Sequence, residues 1–467
     1  MSFKLTVENF GKLTEAEIRI GQFTVFAGPN NTGKSFVSKL LYSLFDVMNA
    51  EHASMYFNML SRPLYRGLFE LTWGSFSKEE ENDMLLEQLD SILSQLEKSF
   101  ELERSRRLEE NWDSVVNYGD ELRAGHTQLE RNLDKWEQEE GAFESSKSYR
   151  RTLARMKEDI DRLRGALNTN AREFIMDGIK ERVSQNLVQN FQTASLSNLR
   201  KDQTRPARII LDNVVEFTIE NTRSVNFKIK DEAGFHGLQE YSRVIYLESP
   251  LYWKLKSALE GIKMAPRFRS LRGRDALSGV PGYFYDLARA LREEYPENDQ
   301  EDLMNLCERL FSKDVMDGRL TVSESGELRF EDNKHDTSFP LQLAAMGVAN
   351  LGILALLIER RIIDKGSFLF VDEPGAHLHP SWQIKIAKTL FELSRLGVNV
   401  VIATHSVDML KFLEVEAKKN PESKKLIALN RFSSEGVEGY EEDFESKLNT
   451  MQQDLTDPFA TLFLEGL

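Results

Sequence analysis

The chain has 467 residues, 41% of them apolar and 29% charged, and its 60 Lys and Arg against 75 Asp and Glu leave a formal net charge of −15. That length suits roughly two to four structural units, and that charge argues against a broad surface for coating nucleic acid. The single cysteine, Cys307, excludes an intrachain disulfide framework and fits a reducing compartment. The opening MSFKLTVENFGK has no cationic segment leading into an apolar core, so no signal peptide is expected. The apolar run 341–358 is interrupted by Gln342 and Asn350 and reads as a buried helix instead of a membrane span. The expectation is a cytoplasmic protein that makes no membrane contact.

Residues 3–7 and 16–20 alternate like an antiparallel ribbon, and 23–27 form a third, mostly apolar strand. A glycine-rich octapeptide follows, and then Val37, Leu40, Leu41 and Leu44 at helical spacing. From 79 to 192 the text becomes charge-rich helix, with Leu85, Leu89, Leu93 and Leu96, then Leu129, Leu133 and Trp136, then Leu153, Met156, Ile160, Leu163 and Leu167. Spacings of three and four describe the narrow seam of a coiled coil, with 141–147 as the reversal between two arms; an ordinary amphipathic bundle is the alternative. Strand text returns at 207–211, 214–219, 225–229 and 244–247, helices at 283–294 and 302–311, and a hairpin at 319–322 and 327–330. Beyond Pro340, helix 341–361, strand 367–372, helix 381–395, strand 398–403 and helix 406–416 alternate, which implies a parallel sheet. The expected division is 1–78 and 193–430 as two parts of one α/β domain, 79–192 as a helical insertion, and 431–467 as a tail.

The octapeptide Gly28-Pro29-Asn30-Asn31-Thr32-Gly33-Lys34-Ser35 satisfies G-x-x-x-x-G-K-[ST] between an apolar strand and a helix, the setting that this motif needs. Its glycines let backbone N–H groups turn inward around nucleotide phosphates. Lys34 would reach the β- and γ-phosphates, Ser35 would ligate Mg²⁺, and the helix N-terminus adds a favourable dipole. ATP and Mg²⁺ are therefore the expected cofactors. The stretch SFLFVDE, 367–373, supplies the acidic strand end such a site requires. Asp372 would hold Mg²⁺ through its second shell, and Glu373 would polarise the attacking water. A solvated strand end is the plainer reading of the same pair. His405, at the tip of strand 398–403, would contact the γ-phosphate and sense its loss.

An early P-loop, a late Asp372-Glu373-Pro374, then His377-Leu378-His379-Pro380 and Thr404-His405-Ser406, all interrupted by a helical insertion, resembles the ABC-class ATPases. Within them the pattern is most similar to the SMC/RecF-like and OLD-type branch of bacterial anti-phage systems, and its compact size and short tail resemble the ATPases of the PARIS and Septu systems. The resemblance spans residues 1–50 and 205–430. It implies an ABC-type P-loop NTPase fold: α/β, with a mixed and partly parallel core sheet, an antiparallel β subdomain and an inserted coiled-coil hairpin. It also implies a dimer as the catalytic unit, higher homo-oligomers built from such dimers, and a signature segment ahead of the acidic strand. The matching stretch is Leu343-Ala344-Ala345-Met346-Gly347. Serines usual in that family are here Ala345 and Met346, so Gly347 and the helix N-terminus are left to bind anionic oxygen, and slow hydrolysis or a nucleotide-locked dimer is expected; a purely structural helix is the alternative. Pro374 to Pro380 match the D-loop. Metal binding by His377 and His379 is not expected, because no further Cys or His completes a ligand set.

Several features stay open. Gln239, which precedes strand 244–247, is a candidate for the Q-loop glutamine. Phe10 could abut adenine, although a packed hairpin aromatic is the plainer reading. Lys254, Lys256, Lys263, Arg267, Arg269, Arg272 and Arg274 stand against one carboxylate, Glu260; they could meet nucleic-acid phosphates, an acidic partner, or acidic neighbours within the fold. The acidic tail is expected to be solvated and too short for a Toprim fold, with Phe459, Leu462, Phe463 and Leu467 packing on the core. The leading expectation is an ATPase scaffold that controls a separate effector, such as a Toprim nuclease, and that answers to a phage-encoded trigger. A RecF-like clamp on duplex DNA is the alternative, which the net charge disfavours. Lys34→Ala is expected to abolish nucleotide binding; unchanged ATP affinity in a filter or calorimetric assay would contradict the P-loop assignment.

Overall fold

The computed structural model describes residues 3–48, 52–73, 80–101, 112–140, 144–220, 222, 224–231, 234–235, 238, 243–248, 280–291, 301–311, 316–323, 327–376, 378–434, 436–438 and 443–465. The chain opens with β1 (Phe3–Phe10), β2 (Leu13–Ile20) and β3 (Phe23–Ala27), from which a loop leads to α1 (Lys34–Met48). A helical run follows: α2 (His52–Thr72), α3 (Glu80–Glu101), α4 (Trp112–Glu140), α5 (Glu144–Leu167) and α6 (Ala171–Phe191). Then come β4 (Ala207–Leu211), β5 (Val215–Ile219), β6 (Val225–Ile229) and β7 (Val244–Leu247). Helices α7 (Gly282–Ala290) and α8 (Glu301–Phe311) precede a small antiparallel sheet of β8 (Gly318–Val322), β9 (Leu328–Asp332) and β10 (Thr337–Pro340). The chain closes through α9 (Met346–Glu359), β11 (Phe368–Asp372), α10 (Pro380–Arg395), β12 (Asn399–Thr404), α11 (Val407–Lys419), β13 (Ile427–Phe432), β14 (Val437–Glu438) and α12 (Phe444–Glu465).

Two compact units result, one made of Met1–Asn49 with Val183–Leu467, the other of Ala50–Arg182. In the first unit the large sheet runs β6-β5-β4-β1-β2-β14-β13-β3-β12-β11-β7. The segment β13-β3-β12-β11-β7 is parallel throughout, and β2-β1-β4-β5-β6 is antiparallel. Composition explains the split. β3, β11 and β12 are buried at every residue, as strands covered on both faces must be, whereas β2 and β5 alternate buried with accessible positions. Against the parallel half, Phe45 of α1 stacks on Phe368 of β11 with centroids 4.6 Å apart. α9 is buried along almost its whole length, and no described helix is long and apolar enough to cross a membrane.

Two expectations change here. Residues 431–467, expected as a C-terminal tail with a solvated acidic run, complete β13 beside the P-loop strand and supply β14, which bridges β13 to β2. α12 then buries Leu448 and Met451, and Arg431 of β13 holds its Asp454 through Nε–Oδ2 at 2.6 Å. β13 is apolar enough to be a strand; the acidic residues after it conceal how firmly the segment is tied. The side chains of Phe459, Leu462, Phe463 and Leu467 lie outside the described residues.

The second correction concerns the helical unit, which begins at Ala50 instead of 79 and ends at Arg182. α4 and α5 do form an antiparallel pair, with Arg150 reaching Asp134 at 2.8 Å and Arg123 reaching Asp161 at 3.3 Å. They are not two free coiled-coil arms. α2 packs on α3 and α5, and α4 packs on α3 and α5, which closes a four-helix bundle. Leu89, Leu93, Leu96, Leu129, Leu133, Leu153, Met156 and Ile160 share one core with Phe57, Leu60, Leu64 and Leu68 of α2. A bundle of four needs a wider apolar stripe than a two-helix seam, and α2 provides the missing face. Phe57, Phe100 and Phe174 stack in sequence at 4.8 and 5.1 Å. Leu129 is fully buried in this core, so Leu129→Ala should destabilise the bundle by about 2–5 kcal/mol, read as a lowered denaturant midpoint; a solvent-facing seam position would lose far less.

Candidate functional site

The parallel order places the carboxyl ends of β3, β12, β11 and β7 side by side, the edge at which open α/β sheets bind ligands. Register aligns Ala27 with Thr404, Asp372 with Ala403, and Val371 with Leu247. The loop after β3 is held in a conformation that its glycines make accessible. Gly28 has φ 151° and Gly33 φ 102°, and a Cβ on Gly28 would stand 1.8 Å from the Phe432 carbonyl oxygen of β13. Lys34 is 5% exposed and donates from Nζ to the carbonyls of Gly28 at 2.8 Å and Pro29 at 2.7 Å. Burial lowers its pKa, while Glu373 and Asp372 oppose that shift. The ammonium thus fills the centre of its own loop, and Lys12 from the β1–β2 hairpin hydrogen-bonds Asn31 at the loop's rim.

Asp372 ends β11 and faces this loop. Its Oδ1 accepts from Ser35 Oγ at 3.0 Å, and its Oδ2 accepts from the Tyr246 hydroxyl of β7 at 3.4 Å. Burial pushes the Asp372 carboxyl up to about 6, with Ser35 opposing the shift and Glu248 adding to it. Glu248, directly after β7, is held by Lys39 Nζ of α1 at 2.8 Å and by the Tyr283 hydroxyl of α7. Asn350, Ile353 and Leu354 of α9 line a small cavity with Glu248, Asp372 and Glu373. Glu373 adopts φ 52°, a left-handed conformation that costs a non-glycine residue on the order of 1 kcal/mol or more. Its N–H still donates to Ala403 at 2.8 Å, and its carboxylate turns to His405, with Nδ1–Oε2 at 2.7 Å.

Lys34, Ser35, Asp372, Glu373 and His405 are therefore gathered at one sheet edge. Gly28, Pro29, Asn30, Asn31, Thr32 and Gly33 form the loop that rims it. Gly347 stands apart from these contacts: it is buried in the first turn of α9, whose N-cap, Ala345, supplies no side-chain hydrogen bond, and the neighbouring Leu343 is 74% exposed. Phe10 is fully buried and packs edge-on to Phe36 and Phe191 at 5.5 and 5.7 Å, which makes it a core aromatic. His379 caps α10 by accepting from the Ser381 N–H. Gln239, His377 and the basic stretch 254–274 lie outside the described residues. Glu248 was missed in the sequence, yet VIYL followed by Glu repeats the apolar-strand-then-acid pattern that marked Asp372.

The donor set suits Mg²⁺ bound to nucleotide phosphates. Among the described residues no group of three or more His, Cys, Asp or Glu could hold a metal by itself, so phosphate oxygens would complete the shell around Ser35, with Asp372 behind it. The buried, poorly compensated carboxylate is the feature a divalent cation would relieve.

Residues 211–410 match the family model described as "AAA domain, putative AbiEii toxin, Type IV TA system", less than half of the chain. No curated protein matches the chain in sequence. Among solved structures, an Smc head bound to the C-winged helix domain of ScpA aligns at 11% identity and TM-score 0.39, covering 96% of this chain and 98% of that one. The SMC head domain from Thermotoga maritima aligns at 11% identity and TM-score 0.33, covering 95% and 100%. An Smc head domain from Pyrococcus yayanosii, with a coiled coil and joint, aligns at 12% and 0.33, covering 97% and 99%.

Because burial raises the Asp372 pKa from 3.8 to about 6, its contribution to stability is fully present below the unfolded value and is lost as pH rises through 6. Asp372→Asn should therefore stabilise the nucleotide-free protein at pH 7 by about 2–3 kcal/mol. Denaturant titrations should show that gain shrinking to nothing near pH 4; a destabilised variant at pH 7 would contradict the geometry.

Proposed function

We propose that this chain is a Mg²⁺-dependent ATPase of the ABC-like, P-loop kind. One observation carries the reading: Ser35 Oγ lies 3.0 Å from Asp372 Oδ1, so the P-loop hydroxyl and the acidic strand end share one site. The match of residues 211–410 to an AAA family model supports it. In this reading Lys34 leaves the Gly28 and Pro29 carbonyls for the β- and γ-phosphates, whose greater charge makes the exchange favourable. Ser35 and Asp372 would hold Mg²⁺, which when bound would supply charge neutralisation on the phosphate oxygens. Glu373 orients and polarises the attacking water, and His405 leaves Glu373 to contact the γ-phosphate.

The finer reading is a scaffold or sensor of an anti-phage system, of the PARIS or Septu type, that forms ABC-type dimers and higher homo-oligomers and governs a separate effector, a Toprim nuclease foremost, in response to a phage-encoded trigger. Three observations support it: the AbiEii description of the matched family model, the net charge of −15, which disfavours a DNA-coating surface, and Leu343 exposed beside Gly347, where a second chain would cover it. The absence of a side-chain hydroxyl at Ala345 and Met346 favours slow turnover. Glu373→Gln should retain ATP binding, reduce hydrolysis by about 10²-fold or more, and accumulate an ATP-bound oligomer on light scattering. A wild-type protein that neither binds ATP nor changes assembly state with it would refute the proposal.

A further inference from the structure

Gln383 lies on the second turn of α10, outside every motif read from the sequence, and it touches two segments that the proposed reaction needs. Its Oε1 accepts from Ser406 Oγ at 2.6 Å, and its Nε2 donates to the Leu378 carbonyl at 3.1 Å. Ser406 immediately follows His405. Its N–H donates to Thr404 Oγ1 at 3.0 Å, and its Oγ caps α11 by accepting from the Met409 N–H at 3.3 Å. Leu378 ends the turn that begins at Glu373, where the Ala376 N–H donates to the Glu373 carbonyl at 2.9 Å and the Leu378 N–H donates to the Gly375 carbonyl at 3.2 Å. Gly375 is pressed against the same amide: a Cβ there would stand 3.0 Å from Gln383 Oε1. One side-chain amide therefore spans the turn after β11 and the turn after β12.

Between those two turns sits the Glu373–His405 pair at 2.7 Å. Neither partner is held by regular sheet pairing at its side chain. Glu373 has a left-handed backbone, and His405 is half exposed. Their backbones are tied by the β11–β12 pairing up to the Glu373 N–H, and beyond it their side chains depend on the two turns that carry them. A side-chain amide suits this bridging role because it accepts and donates at once, and its stem is anchored in a regular helix.

We propose that Gln383 is a positioning residue for the hydrolytic reaction: it braces the turn of residues 374–378 against Ser406 and so fixes His405 relative to Glu373. The inference rests on the ATPase reading above, but the brace itself exists in the nucleotide-free chain. When His405 moves to a γ-phosphate, the brace keeps the turn that carries Glu373 from moving with it, so the water-polarising carboxylate stays in place.

The test joins kinetics to amide hydrogen exchange. Gln383→Ala should lower kcat by roughly 10- to 100-fold with KM and ATP affinity unchanged, since small misplacement of a catalytic group carries penalties of that size. In a His405→Ala background the same change should have no further effect, whereas a merely structural role would multiply the two losses. In the nucleotide-free protein, Gln383→Ala should speed exchange at the Ala376, Leu378, Ser406 and Met409 amides and leave the Glu373 amide protected. Gln383→Glu, nearly isosteric, keeps the acceptor for Ser406 but loses the donor to Leu378, so it should speed exchange at the Ala376 and Leu378 amides alone. It also keeps the test decisive if the alanine variant does not fold. Multiplicative kinetics, a loss confined to ATP affinity, or unchanged exchange in both variants would overturn the proposal. A wild type without ATPase activity would instead overturn the functional reading, and the exchange experiment would still decide the brace.

Discussion

The hydrogen bond between Ser35 and Asp372 joins residues 337 positions apart, and most of the first unit is arranged so that it can form. β3 and β11 are not neighbours; β12 lies between them, which separates them by roughly twice the spacing of adjacent strands, about 9–10 Å. Only side chains at the carboxyl ends of parallel strands can close that gap over the same edge. The whole helical unit is inserted between these two halves of the chain without altering the register that aligns Ala27 with Thr404 and Ala403 with Asp372.

Holding a carboxylate there is unfavourable. Asp372 is buried, Glu248 and Glu373 stand near it, and Lys34 is turned toward its own loop. Lys39 is committed to Glu248, and the Tyr246 hydroxyl offers only a long bond at 3.4 Å. The cluster of buried acids raises the Asp372 pKa, a perturbation of the kind that functional sites commonly carry. The loop opposite is equally constrained. Gly28 leaves no room for a side chain against Phe432, so β13, late in the sequence, shapes the glycine-rich loop that follows β3.

Much of this was legible in the sequence. The P-loop announces itself because its glycines, lysine and serine must sit at fixed spacing for chemical reasons. Asp372 and Glu373 are legible because an apolar strand ending in two acids is an unusual pattern. The strands 207–211 and 225–229 and the α/β alternation after Pro340 reappear with small shifts. Gln383 was not legible, and Glu248 only as a fainter repeat of the apolar-strand-then-acid pattern. A glutamine within a helix carries no local signal, and the meaning of both residues comes from which strand ends and turns lie within hydrogen-bond reach.

The helical unit shows the same division. Leu153, Met156, Ile160, Leu163 and Leu167 determined a helix with one apolar stripe, since spacing of three and four residues puts them on one face. Whether that stripe would meet one partner or several depended on α2, whose contribution is visible only once Phe57, Leu60 and Leu64 are seen in the same core. By itself, then, the sequence determined local matters: helix and strand periods, the glycine-rich loop and the acidic strand end, all governed by backbone geometry over a few residues. The tertiary structure alone decided the bundle, the use of the last segment as β13 and α12, and the joining of Ser35, Asp372, Glu373 and His405, because strand order and helix partners are set by burial across the whole chain and not by any single stretch of it.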